Sequence, residues 1–213
     1  MSCKICFSDT KPYQNPHIPT RYDYCPRCEC IALDAAFKVS ASQEKHQYDQ
    51  HNNSLENTGY VQMFENFLDF FWERVSGITP KVLDFGSGPS PVLAQLMQKR
   101  GACVHCYDKF YHPDDAFQTH TYDLITSTEV FEHLDSPVQT LTLLTKHLHS
   151  GGYIALMTLF HPNKQEDFWA WWYRRDPTHI TFFTSKTLEI LADLCGLELV
   201  ETDGKRVALL KKR

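Results

Sequence analysis

Lys81-Val82-Leu83-Asp84-Phe85-Gly86-Ser87-Gly88-Pro89-Ser90-Pro91 runs from a β-rich stretch through a pair of glycines into a helical one. Ser90 is a natural N-cap and Pro91 a natural first helical residue. Glycines at 86 and 88 remove side chains where a ligand has to touch backbone. Strand, glycine turn and helix in this order predict the opening of a nucleotide-binding α/β unit. A ligand-free tight turn is the plainer alternative that the glycines alone leave open.

Context on either side supports the first reading. Upstream, in ENTGYVQMFENFLDFFWERV (56–75), Met63, Phe64, Phe67, Leu68, Phe71 and Val75 recur at three- and four-residue steps, which predicts one amphipathic helix. Downstream, strand-like runs at 81–85, 102–107, 122–126 and 152–158 alternate with helical stretches at 90–100 and 136–148, the pattern of βαβ units around a parallel sheet. Twenty residues beyond Gly88, the strand VHCYD ends in Asp108, where a carboxylate can accept hydrogen bonds from ribose hydroxyls. Two details favour S-adenosylmethionine over NAD. A dinucleotide fingerprint needs glycine or alanine at position 91, which is Pro91, and an acid, Asp84, precedes the loop, where it suits a methionine ammonium and not a pyrophosphate.

A helix at 185–195 precedes LELVETDGKRVALLKK (197–212), two β-rich runs joined at Asp203-Gly204, which is a hairpin signal. An antiparallel hairpin closing an otherwise parallel sheet, together with LDFGSGPS, the Asp108 strand end, YDLITSTEVFEHL (122–134) and LHSGGYIALMT (148–158), resembles the ordered motifs of class I S-adenosylmethionine-dependent methyltransferases over roughly residues 56–212. The resemblance implies an α/β fold with a Rossmann-like, seven-stranded-type mixed sheet and a terminal hairpin. It also implies a cofactor site of Asp84, Gly86, Ser87, Gly88, Asp108, Lys109, Thr128 and Glu129. The chain departs from the family at Ser90, where a third glycine is frequent, and over Lys109 to Thr121, where a further strand is usual; Asp114 or Asp115 is then expected to contact adenine.

The head of the chain carries Cys3-Lys4-Ile5-Cys6 and Cys25-Pro26-Arg27-Cys28, two C-x2-C pairs with eighteen residues between them. This spacing predicts four thiolates on one tetrahedral zinc, a closed and therefore structural site. So short a segment buries too little apolar surface to fold alone, so metal binding would supply its folding free energy. Cys30 competes with Cys28 as the fourth ligand, and spacing favours Cys28. Cys103 and Cys106 share the C-x2-C spacing but lie on a predicted strand, which sends residues three apart to opposite faces; they and Cys195 are read as packing residues. Residues 31–55 are polar and without sustained period. The expected organisation is a zinc-binding module over 1–35, a connector over 36–55 and a methyltransferase domain over 56–213.

Composition bounds this reading. The 213 residues suffice for one α/β domain and a minor module. With 42% hydrophobic and 22% charged residues a packed core is expected. A net charge of -5 gives no support to nucleic-acid or membrane-surface partners. No apolar run approaches the roughly 18 residues that span a bilayer, and MSCKICFSDT lacks the layout of a signal peptide, so a cytoplasmic location with reduced thiols is expected.

A sulfonium methyl is already activated, so the protein mainly has to hold the acceptor in line and remove a proton where one is present. Glu129, Glu132 and His133 follow a strand ending near the expected methyl group. A similar Glu-x-x-Glu-His arrangement in ubiquinone-biosynthesis O-methyltransferases implies a second divalent ion, Mg2+ or Zn2+, at these three residues; the plainer alternative is a helix start bonded to its neighbours. FWAWWYRRDPTHITFF (168–183) brings Trp169, Trp171, Trp172 and Tyr173, expected to pack, beside Arg174, Arg175, Asp176 and His179. His179 is the expected general base, with His133 and Glu129 as further catalytic candidates and Arg174 or Arg175 orienting an anionic substrate. His161 is placed at the same sheet edge. The expected partner is a small-molecule acceptor. A cofactor sensor that uses the zinc module to contact a partner, and an NAD-dependent oxidoreductase, are the competing readings; intact Asp84, Gly86, Gly88 and Asp108 weigh against the first, Pro91 and the hairpin against the second.

Overall fold

The computed structural model describes residues 1–50, 54–75 and 80–213. The head contributes three strands, β1 (Lys11–Asn15), β2 (Ile18–Tyr24) and β3 (Ile31–Leu33), then helix α1 (Ala41–Tyr48). The body follows as α2 (Thr58–Val75), β4 (Lys81–Phe85), α3 (Val92–Lys99), β5 (Cys103–Tyr107), β6 (Tyr122–Thr128), α4 (Pro137–Lys146) and β7 (Leu148–Met157). It ends with α5 (Gln165–Ala170), β8 (Thr181–Phe182), α6 (Ser185–Leu194), β9 (Leu197–Thr202) and β10 (Val207–Lys212).

The central sheet has the order β5-β4-β6-β7-β10-β9. β5, β4, β6 and β7 are parallel, whereas β10 runs antiparallel to both β7 and β9. The chain leaves β4 toward β5 and returns to β6 on the other side, so the strand order reverses beside the carboxyl end of β4, the place where open α/β sheets bind ligands. The usual seventh strand is not formed between Lys109 and Thr121, which instead makes an Asp108–His112 bridge and a 3-10 turn over Asp115–Thr119.

Alternation of side chains builds a core on each face of this sheet. Val82, Leu124, Ala155, Met157, Val207 and Leu209 meet α2 and α3 on one face. Leu83, Ile125, Ile154, Leu156, Ala208 and Leu210 meet α4 and α6 on the other. On α2 the buried positions Phe64, Phe67, Leu68, Phe71 and Trp72 follow steps of three, four, seven and eight, one helical stripe. Burial of each such side chain contributes about 1.5–3 kcal/mol. The expected hairpin forms with a four-residue loop, where Asp203 Oδ1 accepts from the backbone N–H groups of Lys205, Arg206 and Val207, each at 2.8 Å.

The head differs from a free-standing module joined by a connector. Its sheet, β1-β2-β3-β8, takes its last strand from residues 181–182, with Ile31 opposite Phe182 and Ala32 opposite Thr181. Tyr22, Ile31, Leu33, Phe168, Trp169, Tyr173 and Phe182 form its core, so Trp169 packs on this small sheet and not on the central one. Within the expected connector, Ser40 and Gln43 make a reciprocal capping box and start α1. No α1 residue is buried, which is why no apolar period betrays it.

Two local expectations are corrected. α3 begins at Val92 with Pro91, not Ser90, at the N-cap, and the Ser90 carbonyl accepts from Val92 N–H at 2.8 Å. Pro91 sits at ψ 65°, outside the helical range, so the helix starts one residue late. Cys106 is half-buried and Cys195 buried, but Cys103 at the start of β5 is exposed.

Candidate functional site

The carboxyl ends of β4, β5 and β6 open into a cleft of about 970 Å3, within the range of small-molecule sites. Asp84, Gly86, Ser87, Gly88, Asp108, Lys109, Thr128 and Glu129 all line it, as do His133 and His179. Asp84 is 2% exposed, and its Oδ1 accepts from Thr126 Oγ1 at 3.0 Å. Burial, reinforced by the nearby Asp108 charge, pushes its carboxyl up to about 7. A buried carboxyl in this state is a receptor for a cation that can take the place of its proton.

Asp108 holds the opposite side of the loop. Its Oδ2 accepts from Gly88 N–H at 3.0 Å, and Oδ1 from the N–H groups of Phe110 and Tyr111 at 2.8 and 3.1 Å. The carboxylate thus fixes the glycine turn, leaving one of its roughly four lone-pair sites for a ligand hydroxyl. Lys109 leans outward, pairing with Glu44 of α1 at 2.8 and 2.9 Å. Asp114 and Asp115 do not line the cleft; Asp114 Oδ1 caps the following turn through Ala116 N–H at 2.9 Å. Neither acid is at the cleft wall as the expected adenine contact requires, and Tyr107, Phe110 and Tyr111 line the cleft beside Asp108.

The loop depends on one glycine more than the other. Gly86 has φ +84°, and a Cβ there would lie 2.2 Å from Val130 Cγ2; Gly88 has φ +67° with nothing within 4 Å of a Cβ. Gly86→Ala should lower unfolding free energy by roughly 2–4 kcal/mol in urea titrations, from left-handed strain plus overpacking. Gly88→Ala should lose only the backbone part, roughly 1–2 kcal/mol. Adding Val130→Ala to Gly86→Ala should recover the overpacking and leave the strain.

Beyond β6 the chain turns sharply. Glu129 holds φ +53°, rare for a residue with a side chain, while its N–H donates to the Met157 carbonyl at 2.8 Å. This turn aims the Glu129 carboxylate at the Tyr173 hydroxyl, 2.8 Å from Oε2, and the same hydroxyl lies 2.5 Å from Glu132 Oε1. A phenol has one proton to donate. Both contacts are hydrogen bonds only if one of the two carboxyls is itself protonated, and burial raises both above the ordinary carboxylate range.

The imidazoles close the cluster. His133 Nδ1 faces the Thr178 carbonyl at 3.0 Å, and His179 Nδ1 faces the Tyr173 carbonyl at 2.8 Å. A carbonyl accepts only, so each Nδ1 carries the proton and the neutral ring keeps its lone pair at Nε2. Burial, with the neighbouring His179 ring, takes His133 down to about 3, so this ring stays neutral near pH 7. The two rings meet edge to face at 4.8 Å, and Tyr48 of α1 covers His133 at 5.1 Å.

Other expected residues divide. Arg175 lines the cleft, whereas Arg174 donates to the Trp169 carbonyl at 2.8 Å and lies 5.1 Å above its ring. Trp172 is 65% exposed at the cleft mouth, unlike its packed neighbours. His161 turns away from the cleft: its ring nitrogens face the carbonyls of Pro162 at 3.1 Å and Glu29 at 2.8 Å. Asp176, of the same polar run, lines the cleft, and so does Arg206, from the terminal hairpin loop, which was not expected. The place of Tyr173 was hidden as well, because nothing local shows that the one hydroxyl of this aromatic run meets two acids 44 and 41 residues upstream.

At the head, Cys3, Cys6, Cys25 and Cys28 are buried, with their Sγ atoms all within 4.8 Å of one another. Cys3 to Cys28 is 3.5 Å and Cys6 to Cys25 is 3.4 Å. Cys30 is outside this group, its Sγ directed at the Ile31 carbonyl at 3.7 Å. The two pairs adopt the same turn: Phe7 and Glu29, each just after its second cysteine, have φ +61° and +64°, and each N–H donates to the carbonyl of its first cysteine. Thr187 of α6 ties this head to the body by donating to the Cys28 carbonyl at 2.7 Å.

A parallel sheet with its switch beside β4, a glycine loop held by one strand-end acid and a second acid beneath it, and a terminal hairpin define a class I methyltransferase. Residues 55–202 match the family model described as a methyltransferase domain, and the chain belongs to that family, the S-adenosylmethionine-dependent methyltransferases. Among solved structures, it is similar to the 1,6-didemethyltoxoflavin-N1-methyltransferase of Burkholderia thailandensis, solved with 1,6-didemethyltoxoflavin and S-adenosylhomocysteine. That likeness has a TM-score of 0.58 at 13% identity over 95% of this chain and 99% of the other. The magnesium protoporphyrin IX methyltransferase of Synechocystis PCC 6803 gives 0.56 at 13% over 83% and 96%. The plantazolicin methyltransferase BpumL gives 0.55 at 14% over 81% and 91%. At these identities the likeness shows the fold. No curated protein matches the sequence. Among the described residues no helix is long and apolar enough to cross a membrane.

Proposed function

We propose that this methyltransferase acts on a small-molecule acceptor seated where Glu129, His133, Tyr173 and His179 meet, with the cofactor across Asp84, Gly86, Ser87, Gly88, Asp108 and Thr128. The observation that carries the reading is that a single cleft is lined by both sets of residues. The cofactor end offers a buried acid for the methionine ammonium and a strand-end acid for the ribose. The other end offers the buried Glu129 carboxyl for taking a proton and the Nε2 lone pairs of His133 and His179 for binding, with Arg175 and Arg206 beside them for an anionic acceptor. Trp172 at the mouth provides an exposed flat surface for stacking. Small acceptors are also what the toxoflavin and protoporphyrin enzymes are named for.

The same reading gives the head a structural zinc held by Cys3, Cys6, Cys25 and Cys28. Four buried thiolates with matched turns form a closed soft-ligand set with no position for a substrate.

Calorimetry should show binding of S-adenosylhomocysteine and none of NAD. Incubation of the protein with methyl-labelled cofactor and cell extract should then put label into the ultrafiltered small-molecule fraction. Label confined to protein or nucleic acid would refute the acceptor class, and binding of NAD alone would refute the cofactor.

A further inference from the structure

Glu132, His133 and His179 each bring one potential ligand atom within 4.8 Å of the other two, with the Tyr173 hydroxyl 2.5 Å from Glu132 Oε1 and Asp176 Oδ2 4.0 Å from His179 Nε2. Glu132 Oε1 and His133 Nε2 are 3.9 Å apart. Around a divalent ion with bonds of about 2.0–2.2 Å, neighbouring donors stand about 3–3.5 Å apart, so small side-chain rotations would close the set. The sequence-based ligand set was different, with Glu129 in place of His179. In the structure Glu129 is engaged at the Tyr173 hydroxyl and is not in the group of three.

Two further features suit metal ligation. Both imidazoles donate Nδ1–H to backbone carbonyls, Thr178 for one and Tyr173 for the other, the outer hydrogen bond that orients histidine ligands and places the lone pair at Nε2. The backbone is braced as well: Ile180 N–H donates to the Glu132 carbonyl at 2.8 Å, fastening the segment that carries His179 to the turn that carries Glu132 and His133. Only His133 and His179 of the three line the cleft, so an ion here would have Glu132 at its back and its remaining positions toward the acceptor.

We infer that Glu132, His133 and His179 form a second metal site, distinct in chemistry from the four-cysteine site, which binds a divalent first-row ion and presents it to an oxygen or nitrogen donor of the acceptor. Two imidazoles and one carboxylate suit Zn2+, Mn2+ or Fe2+ better than Mg2+ or Ca2+. The assignment of acceptor side rests on the function proposed above; the metal site itself does not.

The test uses the full-length protein with its cysteine site filled with zinc, dialysed against Zn2+ and separately against Co2+. Elemental analysis should find two metals per chain, and added Co2+ should give d–d bands without the intense thiolate charge-transfer absorption of a cysteine site. His179→Ala and Glu132→Gln should each weaken the second site by about 100-fold or more while the first is kept, and Glu129→Gln should keep both. S-adenosylhomocysteine affinity monitors folding of each variant, with His179→Asn as a second substitution should the alanine variant lose it. One metal per chain in the wild type, or unchanged uptake in both His179 variants, would overturn the inference. Loss of the second metal in Glu129→Gln but not in the His179 variants would assign the ion to the sequence-based set and overturn it equally. Two metals with no methyl transfer to small molecules would leave this site standing and remove the proposed function.

Discussion

Replacing Asp84 by Asn should weaken S-adenosylhomocysteine binding at pH 8 by about 100-fold or more, the usual effect of leaving one member of a buried charge pair without the other, about 3–5 kcal/mol. The ligand lacks the sulfonium, so its ammonium is its only fixed cation and the experiment isolates that contact. The pH dependence follows from the same residue. With its carboxyl at about 7, Asp84 must lose a proton before it can pair with the ammonium. Affinity in the wild type should therefore rise up to about tenfold per pH unit below 7 and level off above it, while the Asn variant stays flat over this range. Stability should move the opposite way. A carboxyl whose proton is held more tightly when folded is stabilising at low pH and loses that contribution as pH climbs from about 4 through about 7. Its ionisation in the ligand-free fold costs up to about 4 kcal/mol at pH 8. Asp84→Asn should thus melt higher than wild type at pH 8, by a smaller margin at pH 5, and near it only at about pH 4 and below. A variant that binds the ligand as tightly as wild type at pH 8 would remove Asp84 from the cofactor site.

Cys25→Ser should have the larger structural effect. Apparent binding free energies for structural zinc in small domains are about 10–16 kcal/mol at pH 7, and little else in the head is comparable. Loss of one thiolate should release the ion, open the β1-β2-β3 sheet and abolish methyl transfer. It should spare S-adenosylhomocysteine binding within a few fold, because none of the proposed cofactor contacts lies in the head. Elemental analysis, the thiolate absorption of the cobalt-substituted protein and calorimetry read the three outcomes separately. Cys30→Ser should leave the ion in place, since its sulfur lies outside the group of four. Retention of the cysteine-bound metal in Cys25→Ser would end the zinc assignment.

What the sequence disclosed, and what it hid, divides by the kind of force involved. The inner strands of the central sheet are buried on both faces over most of their length, so β4, β6 and β7 read directly as apolar runs ended by turns. The two cysteine pairs were legible because each C-x2-C turn is a local pattern, and the structure gathers the four sulfurs within 4.8 Å of one another. α1 was not legible. Its Ser40–Gln43 capping box is a real start signal, but no apolar stripe follows, because the helix lies over the cleft through Glu44, Tyr48 and Asp49 and buries nothing of its own. The strands of the head escaped for a similar reason: β1 and β2 are polar and mostly open to solvent, and hold through pairing and a few aromatic contacts. At the site, Asp84, Gly86, Ser87, Gly88 and Asp108, which are proposed to hold the cofactor, lie between the start of β4 and the end of β5, so their order is visible locally. The cluster around Glu132 is not, because His179 and Tyr173 reach it from 47 and 41 residues away, and no local pattern encodes a meeting of that kind.

The pairing of Ile31 with Phe182 has a consequence for how the chain reaches this structure. The last strand of the head sheet lies about 150 residues downstream of its neighbour, so closing that sheet is a long-range event with a large loop entropy, and it comes late. The cysteine turns are local and can form as soon as residues 1–30 exist. During synthesis the head therefore waits, with three strands and an exposed edge at β3, until nearly the whole body has emerged. Residues 181 and 182 cover that edge, and the adjoining Ile180 N–H bonds the Glu132 carbonyl, so the latch that completes the head also completes the end of the cleft proposed for the acceptor.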